Sequence, residues 1–236
     1  KWIEMLLKTL IAILIGVSPI LINAQDVDKE YLLGKISQQE NSLFVQLSDQ
    51  HTSGAARGQY LRRETYEAFI LMEAAAKSEG VQLTIISATR NFFQQKAIWE
   101  RKWQAESAIS SEVERAKKIL LYSSMPGTSR HHWGTDIDLN DLNNSYFESG
   151  EGLKIYNWLK ANAKKYGFCQ PYTSKAEGRT GYEEEKWHWS YTPLSNQFLI
   201  EYKANIRTED INGFLGSETA ASIEVIKNYV SGVSCK

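Results

Sequence analysis

The sequence predicts an α+β fold, and three observations carry that prediction. Stretches with helical spacing and stretches with strand composition mix along the chain without a regular strand-helix-strand rhythm, which disfavours a doubly wound parallel sheet. The chain is 42% hydrophobic and 23% charged, the usual balance of a globular protein. Its 7 Trp and 12 Tyr supply enough large apolar area for a real core. A length of 236 residues suits one domain with an extension. The formal charge is −1, so no basic field points to nucleic acid. The chain has no internal repeat and no low-complexity run.

The elements follow in order. Residues 25–58 are mixed and polar, with Gly34 and Gly54 as breakers, and read as a segment wrapping the body. Residues 64–78 repeat apolar side chains at helical spacing, and Gly80 supplies a stop. Residues 81–87 (VQLTIIS) read as a buried strand. Residues 94–106 and 112–122 read as helices, and 125–128 (MPGT) as a loop. A short strand is expected over 134–139, then an amphipathic helix over 152–166 that Gly167 ends. Residues 173–183 are loop-like, and the aromatic stretch 186–191 (KWHWSY) reads as a strand. A helix follows Pro193, and a last one is expected near 220–230.

Residues 6–24 are strongly apolar, with Lys8 near the start and Pro19 inside. Spanning a membrane takes about 20 unbroken apolar residues. This run is shorter and interrupted, and it fits a secretory signal cleaved after Ala24. Ile22 departs from the small residue preferred there, and an uncleaved anchor is the competing reading. The expectation is a signal peptide over 1–24 and a single domain over 25–236, exported to the periplasm or cell envelope. Export turns attention to the two cysteines, Cys169 and Cys235. An even pair in an oxidising compartment suggests one disulfide; two free thiols are the alternative.

The chain has four histidines, and the stretch 129–138 (SRHHWGTDID) holds two of them beside Asp136 and Asp138. A catalytic zinc takes three protein ligands and leaves a fourth position open. His131 and Asp138 are seven residues apart across Gly134, a spacing that needs a loop entering a strand, with the glycine allowing the bend. On that strand Asp136 and Asp138 share a face and Ile137 points the other way. A third ligand comes from elsewhere, from His51, His132 or His188. Glu185 stands three residues before His188 and suits a general base. On spacing alone a structural His–Asp pair and a metal site are equally open. The tryptophans around these motifs also read as core, and Glu183 to Glu185 as an exposed acidic run.

The motifs resemble those of a known family. Ser129-x-His131-x-x-Gly134-x-x-x-Asp138 and Glu185-x-Trp187-His188-x-x-Tyr191 resemble the two signatures of the VanY-type D-alanyl-D-alanine carboxypeptidases, zinc peptidases of the M15 family. Ser87-Ala88-Thr89-Arg90, followed by Gln95, resembles a third element. The resemblance spans about residues 87–191 and implies an α+β domain with a small central antiparallel sheet flanked by helices. It implies that His131, Asp138 and His188 ligate Zn2+. Glu185 would move the proton from water to the leaving amine, and Arg90 would stabilise the oxyanion. Ser129 and Gln95 would help hold the substrate, with Tyr191 and Trp187 as supporting groups. Two positions depart from the pattern: Asp136 stands where alanine is usual, and Asn91 replaces a Ser/Thr. Asp136 would add a hydrogen bond behind the ligands or alter the charge of the pocket. His51 and His132 receive no role.

The activity implied is removal of the C-terminal D-Ala from peptidoglycan stem peptides by a monomer without a membrane span after processing. The same chemistry serves an L,D-carboxypeptidase, a D,D-dipeptidase or a cell-wall endopeptidase. A zinc-containing binding domain without catalysis, like the related Hedgehog signalling domain, is the alternative of another class. Glu185 argues against it, because a binding module needs no base there.

Overall fold

The computed structural model describes residues 27–235, so the expected signal segment lies outside the described residues. Its centre is a four-stranded antiparallel sheet in the order β3 (Ile85–Ser87), β4 (Asp136–Leu139), β6 (His188–Tyr191), β5 (Phe168–Cys169). β4 and β6 pair in a register that sets Asp136 opposite Ser190, Ile137 opposite Trp189 and Asp138 opposite His188. Opposed residues in an antiparallel pair project to the same face. One face of the pair therefore carries Asp136, Asp138, His188 and Ser190, and the other carries Ile137 and Trp189. That second face is closed by α2 (Arg63–Ser78) and α5 (Gly150–Asn162), through Phe69, Met72, Ile155 and Trp158.

A second apolar cluster joins α1 (Lys29–Leu32), α3 (Phe92–Ala105), α4 (Glu112–Ile119) and α6 (Thr192–Asn205) to the C-terminal segment. Trp99, Trp133, Phe198 and Tyr202 are buried in it. The start of the described chain wraps as expected. Tyr31 packs edge-on against Phe198 at 5.4 Å, and the Trp133 indole donates to Leu32 O at 3.1 Å. Two further strands, β1 (Phe44–Gln46) and β2 (Tyr60–Arg62), form a separate antiparallel pair.

Local chemistry explains where several elements begin. Asn91, the departure from the family pattern, is the N-cap of α3. Its side chain accepts from Gln94 N at 2.9 Å while Gln94 Oε1 accepts from Asn91 N at 2.8 Å. That reciprocal pair satisfies two backbone donors at the helix start. Pro193 sits in the first turn of α6, where a missing N–H costs nothing.

Two expected elements come out differently. The strand expected over 81–87 narrows to Ile85–Ser87. Asn140, at φ 64°, ends the ladder there: its backbone N donates to Thr84 O at 2.9 Å and its side-chain amide to Gln82 O at 2.9 Å. In place of a helix over 220–230 the chain makes a 3-10 turn, Ser217–Ala220, and a π-helical turn, Ile226–Val230. This segment is shaped to residues 179–183, where Thr180 Oγ1 donates to Asn228 O at 3.0 Å.

Cys169 on β5 is joined to Cys235, with Cα atoms 6.0 Å apart and a sequence separation of 66. Closing a loop of that length lowers the entropy of the unfolded chain by an amount worth roughly 4 kcal/mol. We expect Cys169→Ser/Cys235→Ser to unfold at clearly lower denaturant, by about that stability. A thiol count on denatured, unreduced wild type should find no free thiol.

Candidate metal centre and its cavity

The register of β4 against β6 delivers two candidate ligands side by side. Asp138 and His188 are cross-strand neighbours, with Asp138 Oδ1 2.9 Å from His188 Nδ1. The third arrives from the turn before β4. Residues Arg130–Trp133 form a 3-10 turn, and Gly134 follows it in the left-handed region at φ 74°. A side chain there would also run into the Phe44 ring, so glycine meets both demands. The bend puts His131 Nε2 3.4 Å from Asp138 Oδ2. All three residues are buried, and their candidate ligand atoms lie within 4.8 Å of one another.

The donor chemistry fits a divalent ion. His131 uses Nδ1 to donate to Ala88 O at 2.8 Å, which leaves the Nε2 lone pair facing the cluster. His188 is held the other way round: Nε2 donates to Asp136 Oδ2 at 2.8 Å, which leaves Nδ1 facing Asp138. Each imidazole has one nitrogen tied down and the other directed at the same point. Two imidazoles and one carboxylate make a set suited to zinc. Burial disfavours a charge on His188, yet the Asp136 and Asp138 carboxylates outweigh it and push the ring up to about 10. The negative field at this point is thus one that a proton on His188 or a cation held by the three side chains offsets.

Asp136 itself is fully buried and surrounded by donors. It accepts from His188, from Arg130 Nε at 3.0 Å, from Thr135 Oγ1 at 2.6 Å and from Ser190 Oγ at 2.8 Å. Arg130, 1% exposed, also donates from Nη2 to Ser190 Oγ at 2.6 Å and lies over the Trp133 ring. The charge introduced at the position usual for alanine is therefore matched by a buried guanidinium one residue before His131. Asp136 is legible in the sequence as a departure from the family pattern, and Arg130 is not. A carboxylate at the alanine position was the available signal that a buried donor stands nearby, but it did not say which residue supplies it.

Glu185 stands beside the cluster, with Oε2 3.5 Å from His188 Nδ1. Its backbone is pinned by N–H donation to Tyr172 O at 3.0 Å and by Gln170 Nε2 donating to its carbonyl at 3.1 Å. Burial pushes its carboxyl up to about 8. His188 and Arg90 pull it down and Asp138 adds to the rise. A divalent ion held by the three neighbouring ligands would lower that affinity towards the range in which a carboxyl takes and returns a proton near neutral pH. Arg90 reaches in from the β3–α3 connection, with Nη1 3.8 Å from Asp138 Oδ2 and donating to Ser87 Oγ at 2.6 Å. Its Nε donates to Gln95 Oε1 at 3.1 Å, and Gln95 Nε2 donates to Ser124 O at 2.8 Å.

The cluster forms the floor of a cavity of about 760 Å3. Ser129, Gln95 and Trp187 line it. Ser129 Oγ is buried with no hydrogen-bond partner among the described residues, so a donor or acceptor remains on offer. Tyr191 is not brought to the cavity. Alternation along β6 turns it to the face opposite His188, against Phe168 with ring centroids 5.4 Å apart. Cavity residues without a sequence signal include Tyr172, Tyr182, Asn143 and Asn144.

The other two histidines are structural. His51 Nδ1 pairs with Tyr66 Oη at 2.6 Å beside α2. His132 bridges Arg90 O and Gly127 N, and burial pushes it down to about 3, so it stays neutral. It points away from the ligands because the turn is helical there.

A family model described as VanY, D-alanyl-D-alanine carboxypeptidase, matches residues 58–194. Among curated proteins, the carboxypeptidase candidate YodJ of Bacillus subtilis (strain 168) is 34% identical over 139 residues, covering 56% of this chain and 46% of that protein. A D-alanyl-D-alanine carboxypeptidase of Enterococcus faecium is 25% identical over 166 residues, covering 70% of this chain and 48% of that one. The chain thus spans about half the length of these relatives. The solved LD-carboxypeptidase LdcB superposes with a TM-score of 0.54 at 26% identity, covering 74% of this chain and 81% of LdcB. VanYB in complex with D-alanine-D-alanine shares the fold, with a TM-score of 0.52 at 23% identity, over 72% of this chain and 87% of that one. The matched span takes in more than half the chain and every residue of the cluster, and the protein belongs to the VanY D-alanyl-D-alanine carboxypeptidase family.

Proposed function

We propose that the protein is a zinc-dependent D-alanyl-D-alanine carboxypeptidase that removes the C-terminal residue of peptidoglycan stem peptides. The observation that carries this reading is the convergence of His131 Nε2, His188 Nδ1 and the Asp138 carboxylate beside Glu185. A zinc ion held by those three would supply Lewis acidity to water and to the scissile carbonyl. The protein does the rest. Glu185 accepts the proton of the attacking water and delivers it to the leaving amine as the amide bond breaks. Arg90 faces the carbonyl oxygen as it gains charge; a single such donor is typically worth about 3 kcal/mol. Ser129 and Gln95 hold the substrate within reach. Export by the 1–24 segment would place the enzyme where peptidoglycan is.

Dialysis against a chelator should abolish D-alanine release from a stem pentapeptide, and stoichiometric zinc should restore it. Full activity in metal-free protein would end the reading. A second reading, L,D-carboxypeptidase, is favoured by the likeness to LdcB. The same assay separates the two: pentapeptide cleaved to tetrapeptide supports the first, and tetrapeptide cleaved to tripeptide supports the second.

A further inference from the structure

The cavity has a cationic wall to which the proposed chemistry gives no task. α3 runs along it, and Gln95, Ile98 and Lys102 fall at i, i+3 and i+7, on one helix face; all three line the cavity. Gln95 is the inner end of this stripe, tied to Arg90. At 1.5 Å per residue the Lys102 backbone lies about 10 Å further out. Lys102 is half-buried, and among the described residues its ammonium makes no hydrogen bond or ion pair. On the same helix Lys96 meets Glu100 at 3.4 Å. Arg101, exposed at the rim, also lines the cavity, and its guanidinium has no hydrogen bond or ion pair among the described residues.

Withdrawing an ammonium group from water without a partner is unfavourable. Burial and then the Arg90 charge both work against the Lys102 proton, and Glu185 only partly offsets them. Arg90, Arg101 and Lys102 face only two carboxylates in the lining, Asp138 and Glu185, and a bound divalent ion widens that imbalance. A concave surface with surplus positive charge gathers anionic ligands.

We propose that Lys102, with Arg101 at the rim, forms a subsite for a second carboxylate of the peptide, on the side retained after cleavage. The terminal carboxylate of the leaving residue lies within about 4 Å of the scissile carbonyl carbon by covalent geometry. Groups that hold it must therefore sit beside Arg90, where Ser129 and Gln95 already are. A carboxylate borne two or three positions before the C-terminus of an extended peptide, at roughly 3.3–3.6 Å per residue plus the length of its side chain, reaches the distance of Lys102. The ligand class is an acidic peptide. In a stem peptide the carboxylate has two sources: the free α-carboxylate of a γ-linked glutamate, or the extra carboxylate of a diamino diacid at the third position. The subsite rests on the carboxypeptidase reading for its substrate and not for its charge.

The test uses zinc-loaded full-length protein and stem-type pentapeptides. The glutamate carboxylate is free or amidated, the third residue is lysine or diaminopimelate, and one further peptide is amidated at its C-terminus. Turnover is measured on wild type, Lys102→Met and Lys102→Arg. Binding is measured by calorimetry in a Glu185→Gln background, so that it does not depend on turnover. We expect wild type to favour one internal free acid over its neutral counterpart by about tenfold, in KM and not kcat, with the peptide pair showing which carboxylate is read. Lys102→Met should erase that preference and Lys102→Arg should retain it. The proposal is overturned if Lys102→Met keeps the wild-type preference, or if what it loses is discrimination between a free and an amidated C-terminus. Lys102-dependent binding without turnover leaves the subsite standing and removes the carboxypeptidase reading. Turnover indifferent to Lys102 does the reverse.

Discussion

Glu185→Gln should lower kcat for D-alanine release by roughly 10^2–10^4-fold, the range a positioned acid–base group supplies. The amide keeps the shape of the side chain but neither accepts the proton of water nor returns it. Zinc affinity should change little, because the expected ligands are His131, Asp138 and His188, and titration calorimetry checks that separately. Stability should move the opposite way. Burial raises the Glu185 carboxyl from 4.5 to about 8, so the folded state binds its proton more tightly than the unfolded chain. Ionising it in the metal-free fold therefore costs stability as pH rises from about 4.5, and the cost levels off above about 8. The glutamine variant has no such cost. Metal-free Glu185→Gln should gain a few kcal/mol over wild type at pH 9 and little at pH 4. Equal melting curves at both pH values, or unchanged turnover, would refute the role given to this residue.

Asp136→Ala should harm the protein in two separable ways. It leaves Arg130, 1% exposed, without its carboxylate partner, and an uncompensated buried charge costs about 3–5 kcal/mol. It also frees His188 Nε2, so the ring is no longer held in the tautomer and orientation that present Nδ1. Loss of such an outer partner typically weakens metal binding 10–100-fold. Asp136→Ala/Arg130→Met should recover most of the stability, because both charges leave the interior together. Zinc affinity should remain low in the double variant, because the His188 partner is still missing. A double variant that binds zinc as wild type does would show that Asp136 serves only to neutralise Arg130.

These two residues also mark how far the chain was legible before folding. Candidate ligands were visible because the family motif runs from Ser129 to Asp138 and resumes at Glu185, and the structure does gather His131, Asp138 and His188. Asp136 was visible as a departure from that motif. Its partner Arg130 was not, since a lone arginine beside a histidine has no periodic signature and its pairing depends on the turn at Gly134. Tyr191 misled for a related reason. It is part of the motif, but β6 alternates, and a residue three after His188 faces the other side of the sheet.

What the sequence determined alone was whatever repeats at short range or sits in a motif. That covers the helix of residues 64–78, the glycine bend at 134, the order of the three motif blocks and the α+β class. Tertiary structure decided what depends on distant segments meeting. The register that sets Asp138 against His188 is one such outcome, and the carbonyl and carboxylate that choose each histidine's free nitrogen are another. The irregular end of the chain is a third, shaped by contacts with residues 179–183. The physical reason is common to all three. Local propensity is set by neighbours within a few residues, whereas buried hydrogen bonds and charges acquire their partners only when the chain closes around them.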